Sequence, residues 1–271
     1  GALDAVTTGD NITAIGNGAL SASNTGVENT AIGKGAMNVS TTASYNVAVG
    51  NNAGAAMTEG NLYDVFVGHS AGTAVTTGDY NTFVGATAGT AVTTGANNTL
   101  IGRYAGGNYD TESNNTAVGQ NALAGPIAGG EQNVAIGNAA LDALTTGDNN
   151  VAIGYLAASD STTAVESVAI GYKALKDQTT AGGASVGYNI GIGSFGMYNV
   201  VDNAPNIGIG GFSRASGTSG THQIVLGYNV AGSGDSTFTF GTGSTDTTCS
   251  HGATSFSAPS DERWKKDIET S

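Results

Sequence analysis

Charged side chains are scarce in this chain of 271 residues. Asp, Glu, Lys and Arg together make up 11% of it, against about 25% in typical globular domains. Proline is scarcer still, with only 3 residues. Disordered linkers are rich in both charge and proline, so this composition argues against a linker. It also differs from the composition of an ordinary enzyme.

The charges that are present are mostly acidic, and the formal net charge is −13. A surface of this sign repels a phosphate backbone, so we do not expect a nucleic acid as partner. No apolar run approaches the roughly 20 residues that a membrane-spanning helix needs, so membrane insertion is not expected either. The single cysteine, Cys249, excludes an intrachain disulfide framework.

Glycine is abundant, with 44 residues that do not follow the three-residue period of collagen. It marks a longer repeat, which is best aligned on the last residue of the segment NVAIG. The thirteen residues at this position, which we call the corner glycines, are Gly16, Gly33, Gly50, Gly68, Gly85, Gly102, Gly119, Gly137, Gly154, Gly171, Gly193, Gly210 and Gly227. Most are 17 residues apart, two intervals are 18, and the step from Gly171 to Gly193 is 22. A fixed period of this kind is typical of repeat architectures.

Each copy of the repeat carries a short strand just before its corner glycine. The residues one and three positions before the glycine are Ile, Val, Leu or Thr, and the residue between them is usually Ala. Such a run favours a strand whose alternate side chains lie on opposite faces. We expect the larger side chains to fill the interior and the small ones to face a second element. The rest of each copy is rich in Gly, Asp, Asn and Thr, which is typical of turns.

One strand, one corner and one return stretch at a fixed period predict an all-β fold, a parallel β-solenoid of about 13 coils. Coils stack at about 4.8 Å, so the rod should be on the order of 60 Å long. Nine of the thirteen copies have Asn four residues before the corner glycine, and stacked Asn side chains should form a hydrogen-bonded ladder. A coil of this size encloses little volume, so we expect oligomerisation to stabilise the rod.

The repeat N-[TV]-A-[IV]-G-x-x-A resembles the head repeats of trimeric autotransporter adhesins. In its longer form, with TTG in the second half of the copy, it is similar to repeats of phage tail fibres and related bacterial surface proteins. The resemblance covers residues 1 to about 231. It implies a left-handed β-roll assembled as a homotrimer, and it says almost nothing about a ligand.

The C-terminal segment SDERWKKDI, residues 260–268, resembles the start of the intramolecular chaperone of phage tail spikes and fibres, the peptidase S74 family. In that family the chaperone helps the trimer to assemble and then cleaves itself off. The resemblance implies that Ser260 is the nucleophile, that Ser260–Asp261 is the scissile bond and that Lys265 assists, with Arg263 at another fixed position of the motif. Only the opening of such a chaperone is present in this sequence. The alternative interpretation is a charged helix start with Ser260 as its N-cap.

These patterns divide the chain into three parts. Residues 1–231 form the solenoid, residues 232–259 form a short non-solenoid β region rich in Ser, Thr and Gly, and residues 260–271 begin the chaperone. The 22-residue step carries an insertion of about five residues, which we expect to form a surface loop.

Aromatic residues recur just after the corner glycines, and we consider two roles for them. The six are Tyr104, Tyr155, Tyr172, Phe195, Phe212 and Tyr228. They could form an exposed stripe suited to sugars or protein contacts, in which Tyr155, Tyr172 and Tyr228 are the candidate binding residues. Alternatively, they pack between adjacent coils at the corner.

Other candidate chemistry is sparse. Cys249 and His251 could meet their copies on a threefold axis and bind a transition metal, although a buried thiol and a surface imidazole are the simpler interpretation. No cofactor is expected, because GIGSFG at 191–196 has dinucleotide-site spacing but follows the solenoid register. No other metal is expected, because the regular G-x-D of Ca²⁺-binding β-rolls does not occur in the repeat. His69, His222 and His251 are scattered and do not indicate a hydrolase triad. Apart from one self-cleavage at Ser260–Asp261, we do not expect an enzyme.

The sequence therefore predicts an extracellular structural protein of a virion, the distal part of a phage tail fibre that attaches to the host cell surface. Its partners would be copies of itself, a host receptor that is a glycan or an outer surface protein, and other virion tail proteins. A bacterial trimeric surface adhesin or extracellular fibre is the alternative. A polysaccharide depolymerase is a third hypothesis, in which paired carboxylates would meet only in the folded chain.

Overall fold

The structure is a computed structural model, and it describes residues 1–5, 7–22, 25–58, 60–108, 110–178, 186–200, 205–244 and 246–252. Within these ranges the chain forms seventeen strands and no helix, and hence no helix that could cross a membrane. The strands are β1 (Thr13–Ile15), β2 (Thr30–Ile32), β3 (Val47–Val49), β4 (Val65–Val67), β5 (Thr82–Val84), β6 (Thr99–Ile101), β7 (Thr116–Val118), β8 (Val134–Ile136), β9 (Val151–Ile153), β10 (Ala164–Val165), β11 (Val168–Ile170), β12 (Val186–Gly187), β13 (Ile190–Ile192), β14 (Ile207–Ile209), β15 (Ile224–Gly227), β16 (Thr237–Gly241) and β17 (Thr247–Ser250).

Fifteen of these strands stack into one sheet that runs along the rod. From β1 to β16, each strand of the stack pairs in parallel with the next, and equivalent repeat positions lie side by side, as Val47 does with Val65. This confirms an all-β parallel solenoid of about 13 turns with a period of about 17 residues. Strands β10 and β12 form a separate parallel pair, in which β12 lies within the 22-residue step and β10 lies in the coil that precedes it.

The strand side chains point the opposite way from the expectation drawn from the sequence. The middle residue of each strand points into the coil, and Ala31 and Phe66 are fully buried there. The larger residues on either side point outwards, and Ile101 and Ile136 are exposed. The expectation that the large positions fill the interior is therefore wrong. The coil is narrow, so a small residue on the strand leaves the interior to side chains from the return stretch.

The interior is filled by reciprocal choices of side-chain size. Where the strand carries Ala117, the residue four positions after the corner glycine is Leu123, and both are fully buried. Where the strand carries Phe83, that position is Gly89, and a Cβ atom there would overlap the Phe83 ring. Phe66 and Phe83 stack inside the rod with ring centroids 5.0 Å apart. In these coils a large side chain at one position is matched by a small residue at the other, as close packing requires.

The corner glycines are required by backbone conformation and by space. All thirteen have a φ between 122° and 144°, a region that residues with a Cβ atom rarely adopt. A Cβ atom on Gly119 would also lie 2.5 Å from the carbonyl oxygen of Gly137 in the next coil. Both constraints act in every coil, which explains why the repeat keeps Gly at this position.

The predicted asparagine ladder is present, and nearly all its bonds run between side chain and backbone, with an Asn–Asn side-chain bond from Asn150 to Asn133. The Asn98 side chain accepts from the backbone N–H of Asn115 at 3.0 Å and donates to the carbonyl of Glu112 at 2.9 Å. The same N–H to side-chain bond connects successive coils from Asn29 to Gln223. These ladder residues are buried, so the ladder satisfies backbone groups that water does not reach.

The parallel stack continues past residue 231. Strand β16 pairs in parallel with β15, and β17 then pairs antiparallel with β16. Phe238 and Phe240 stand beside Ile224 and Leu226, at the two outward positions of the strand. As far as residue 252, the β region predicted for residues 232–259 therefore consists of a final strand in the solenoid register and an antiparallel return.

Candidate binding surfaces

An uncharged apolar face runs along the rod, and we call it the outer strand face. It consists of the outward strand residues, one and three positions before each corner glycine, from Thr13 and Ile15 in β1 to Ile224 and Leu226 in β15. All of them are Ile, Val, Leu or Thr. Ile15 exposes 60% of its surface and Leu226 exposes 45%. Isolated proteins rarely expose a contiguous apolar surface of this extent, so the face is a candidate contact surface.

A second surface is an aromatic band, formed by Tyr155, Tyr172, Phe195, Phe212 and Tyr228. Tyr155 and Tyr172 stack with centroids 5.6 Å apart, and Phe195 and Phe212 stack at 5.1 Å. Tyr172 meets Phe195 edge to face, as Phe212 meets Tyr228. The three Tyr directly follow a corner glycine, whereas the two Phe come one residue later. Two neighbouring rings therefore stack when they occupy the same position in the repeat, and they meet edge to face when their positions differ by one residue.

The aromatic band is exposed and also packed between coils, so the two roles considered from the sequence are compatible. Tyr155, Tyr172 and Tyr228 expose 49%, 44% and 62% of their surfaces. Stacking covers the ring faces, so the band presents mainly ring edges and hydroxyl groups to a ligand. The Lys173 ammonium group lies 5.1 Å from the Tyr172 centroid and adds a positive charge to the band. Binding by these residues stays a prediction.

A further set of stacked tyrosines was missed by the sequence analysis. Tyr45, Tyr63 and Tyr80, which we call the tyrosine ladder, lie five positions before three successive corner glycines. Their centroids are 5.0 and 5.5 Å apart, and the rings are nearly parallel. They expose 41%, 50% and 55% of their surfaces. The signal was available, because three consecutive copies carry Tyr at one repeat position.

A groove of about 230 Å³ lies beside the outer strand face in the last coils. Its lining residues are Tyr188, Ile190, Pro205, Ile207, His222, Gln223, Ile224 and His251. His251 thus shares a groove with His222, whereas the half-buried thiol of Cys249 donates to the carbonyl of Ser250 at 3.4 Å. In the described part of the chain, no three His, Cys, Asp or Glu side chains are grouped for a metal ion. The site between copies that we considered for Cys249 and His251 stays a prediction.

One position of the asparagine ladder carries an acid. Asp64 is fully buried, its Oδ1 accepts from the backbone N–H of Asn81 at 2.7 Å, and its Oδ2 has no hydrogen-bond partner among the described residues. An ionised carboxylate cannot donate as the Asn amide does, and Asn61 instead donates to the Gly78 carbonyl at 3.0 Å. Burial raises the pKa of Asp64 to about 7, and repulsion from Asp79 adds to the rise, while the Asn81 bond opposes it.

A small ionic cluster lies on the return stretch of two adjacent coils. The Lys176 ammonium group donates to Asp160 at 2.6 Å and to Asp177 at 3.2 Å. The bond from Asp160 raises the pKa of Lys176, and burial together with repulsion from Asp160 raises the pKa of Asp142. Partly exposed ion pairs of this kind contribute little to stability.

The residues of the predicted self-cleavage site, Ser260, Asp261, Arg263 and Lys265, lie outside the described residues, and so does most of the insertion in the 22-residue step. Their roles stay predictions. No protein-family model matches this chain, and no curated protein or solved structure is significantly similar to it. Its function is therefore inferred from the repeat and from the chemistry of its surfaces.

Proposed function

We propose that this chain is the shaft of a homotrimeric fibre, the distal part of a phage tail fibre that reaches from the virion to the host cell surface. The observation that carries the proposal is the outer strand face, which consists of aliphatic residues and Thr along the whole stack and is partly or fully exposed in the single chain. Burial of apolar surface stabilises an assembly by about 25 cal/mol per Å². A long rod with such a face on one side is therefore suited to side-by-side association of copies.

The distribution of charge supports association through this face. The chain carries a net charge of −13, yet no charged residue lies on the outer strand face. Copies that carry the same charge repel one another through the charged part of their surface, so contact is favoured at the uncharged outer strand face. A cyclic assembly of parallel rods covers the face of every copy, and the resemblance to adhesin heads favours three copies.

The rod supplies reach, and the aromatic band supplies the contact with the host. Coils stacked at about 4.8 Å and bonded through the sheet and the ladder give a stiff shaft on the order of 60 Å long. The band offers the hydroxyl groups of Tyr155, Tyr172 and Tyr228 and the cation of Lys173 to a surface glycan or protein. The remaining partners are other virion tail proteins, and cleavage at Ser260–Asp261, assisted by Lys265, would release the chaperone after assembly.

Sedimentation of the purified chain tests the assembly, and a trimer is expected. Ile136→Asp places a charge on the outer strand face and should yield folded monomers, because an ionised group is costly to bury. Asn138→Asp, two residues away and exposed at the corner, is the matched control and should leave the trimer intact. A chain that is a stable monomer without any substitution would contradict the proposal.

Binding to an array of bacterial capsule and lipopolysaccharide glycans tests the contact surface. The double variant Tyr155→Ala and Tyr172→Ala should lose most of the binding, whereas Tyr104→Ala, at the same corner but outside the band, should retain it. Binding that survives in the double variant would remove the band from the receptor site.

In a longer chain that contains the chaperone, Ser260→Ala should prevent the split into two fragments, and normal cleavage would refute the role of Ser260.

A further inference from the structure

Association through a repetitive face leaves the axial register of the subunits open. Successive coils present similar residues, so sliding one rod along another by one coil, about 4.8 Å, preserves most apolar contacts. An assembly with a single register therefore needs positions at which the surface departs from the repeat.

Two departures from the repeat coincide in the same three coils. One is the tyrosine ladder, which occupies the position five residues before the corner glycine. The other is Val one residue before that glycine, at Val49, Val67 and Val84. A fourth Val at this position, Val118, lies in a coil that carries Asn114 in place of Tyr. Nine of the thirteen coils carry the larger Ile or Leu at this second position. Large residues on one edge thus occur together with small residues on the other edge.

Contacts within one chain do not explain this coincidence. Each Tyr is four residues from the Val of its own coil, which corresponds to roughly 13 Å along an extended segment. The two positions therefore lie on opposite edges of the strand. Within the chain the Tyr rings stack on one another along the rod, and about half of each residue's surface remains exposed.

The tyrosine position borders the outer strand face. In the last coils, Tyr188 and His222 occupy this repeat position and line one groove together with Ile190 and Ile224 of the face. Tyr188 stands outside the ladder, and its coil carries Ile192 in place of Val. The combination of stacked Tyr and Val is thus confined to three consecutive coils.

We propose that the tyrosine ladder of one subunit packs against Val49, Val67 and Val84 of the next subunit and so fixes the axial register of the assembly. The inference rests on the proposed assembly through the outer strand face. In a cyclic assembly of parallel rods, one edge of each face meets the opposite edge of its neighbour at the same height. A shift by one coil places Tyr80 against Ile101, or Tyr45 against Ile32, and leaves one Val without a ring. Tyrosine suits this role because it is prominent among the residues that dominate protein interfaces.

Disulfide cross-linking measures the register directly. In a Cys249→Ser chain, Tyr63→Cys is combined in turn with Val49→Cys, Val67→Cys or Val84→Cys, and each protein is oxidised. Within one subunit the cysteines of each pair are too far apart for a disulfide, so every cross-link joins two subunits. The pair with Val67→Cys should give the highest yield, and the other two pairs control for a shift by one coil. A maximum at another pair, or equal yields for all three, overturns the inference and leaves the assembly standing.

Truncation of the ladder measures its contribution to association. Tyr63→Ala combined with Tyr80→Ala should weaken subunit association at least about tenfold, as expected for buried interface aromatics. Tyr155→Ala with Tyr172→Ala removes a pair that is similarly stacked and exposed and should leave association unchanged. Circular dichroism checks that all chains are folded. Equal weakening by the two pairs overturns the inference, and a monomeric unaltered chain overturns both the inference and the proposed assembly.

Discussion

Replacing Asp64 with Asn should stabilise this protein above neutral pH and remove part of its pH dependence. Asp64 is the one acid in a run of buried, mostly Asn ladder positions, and its Oδ2 has no hydrogen-bond partner in the described part of the chain. An ionised carboxylate at such a place has lost its water without gaining a counter-charge. Asn keeps the shape and the bond from the Asn81 amide, and it carries no charge.

The size of the effect follows from the pKa. The ordinary pKa of an Asp is 3.8, and burial raises the pKa of Asp64 to about 7, so between these values the folded chain binds the proton more tightly than the unfolded chain. The contribution of the Asp64 carboxyl to the free energy of unfolding is therefore complete below pH 3.8, and it is lost as the pH rises through 7. One pKa unit corresponds to about 1.4 kcal/mol, so the loss in the free energy of unfolding approaches about 4 kcal/mol at pH 8. The introduced amide must share the Gly78 carbonyl with Asn61, so we expect Asp64→Asn to recover about 2 to 4 kcal/mol.

Hydrogen exchange is the suitable assay, because a solenoid need not unfold in a single step. The protection of the Asn81 amide, which donates to Asp64, should rise in Asp64→Asn at pH 8 and change little at pH 4. The matched control is Asn98→Asp, which should create the same pH dependence at another coil of the ladder. The burial argument would be refuted if Asp64→Asn lowered the protection of the Asn81 amide at pH 8. It would also be refuted if the change in this protection between pH 4 and pH 8 were the same in the variant and in the unaltered chain.

Two further substitutions test the corner and the interior by hydrogen exchange, measured on amides in the substituted coil and in the coils next to it. Gly119→Ala should destabilise the chain by at least about 2 kcal/mol, because its φ is 137° and the new Cβ atom would lie 2.5 Å from the Gly137 oxygen. Phe83→Ala should cost about 3 to 5 kcal/mol. Adding Gly89→Leu should recover part of that loss, because five of the seven coils with Ala in the middle of the strand carry Leu or Met at this position.

Both experiments have an internal control. Gly217→Ala, whose added Cβ atom meets no other atom within 4 Å, should change stability by less than about 0.5 kcal/mol. A Gly119→Ala chain that is as stable as this control would show that the corner tolerates a side chain. A Phe83→Ala, Gly89→Leu chain less stable than Phe83→Ala alone would contradict the reciprocal filling of the interior.

The solenoid and its ladder were predictable because each copy of the repeat carries similar residues at equivalent positions. A corner glycine needs a conformation that few other residues adopt, and an Asn before most strands brings a donor and an acceptor to the coil. The ladder was foreseen as bonds between side chains. Apart from the bond between the Asn150 and Asn133 side chains, the observed bonds run to the backbone, as Asn98 shows, because the backbone groups of the next coil are buried at the same corner.

The surfaces were less predictable, because their character depends on small offsets within the repeat. Tyr172 and Phe195 both follow a corner glycine, yet a difference of one residue makes them meet edge to face instead of stacking. The tyrosine ladder lies five positions before the glycine, outside the aromatic stripe that the sequence predicts after it. Both sets have ring faces covered by neighbours from other coils, and such contacts are between residues about 17 positions apart in the chain.

The sequence by itself determined the period, the short strands, the glycine corners and the buried Asn positions of this protein. Only the tertiary structure decided which strand face lies inside. Alternation separates two faces, but here both are apolar, so polarity cannot distinguish them. The choice depends on how the coil closes, because Leu123 and its equivalents from the return stretch occupy the narrow interior and leave room on the strand for Ala. The Ile and Val side chains therefore point outwards, where they form the face proposed to join the subunits.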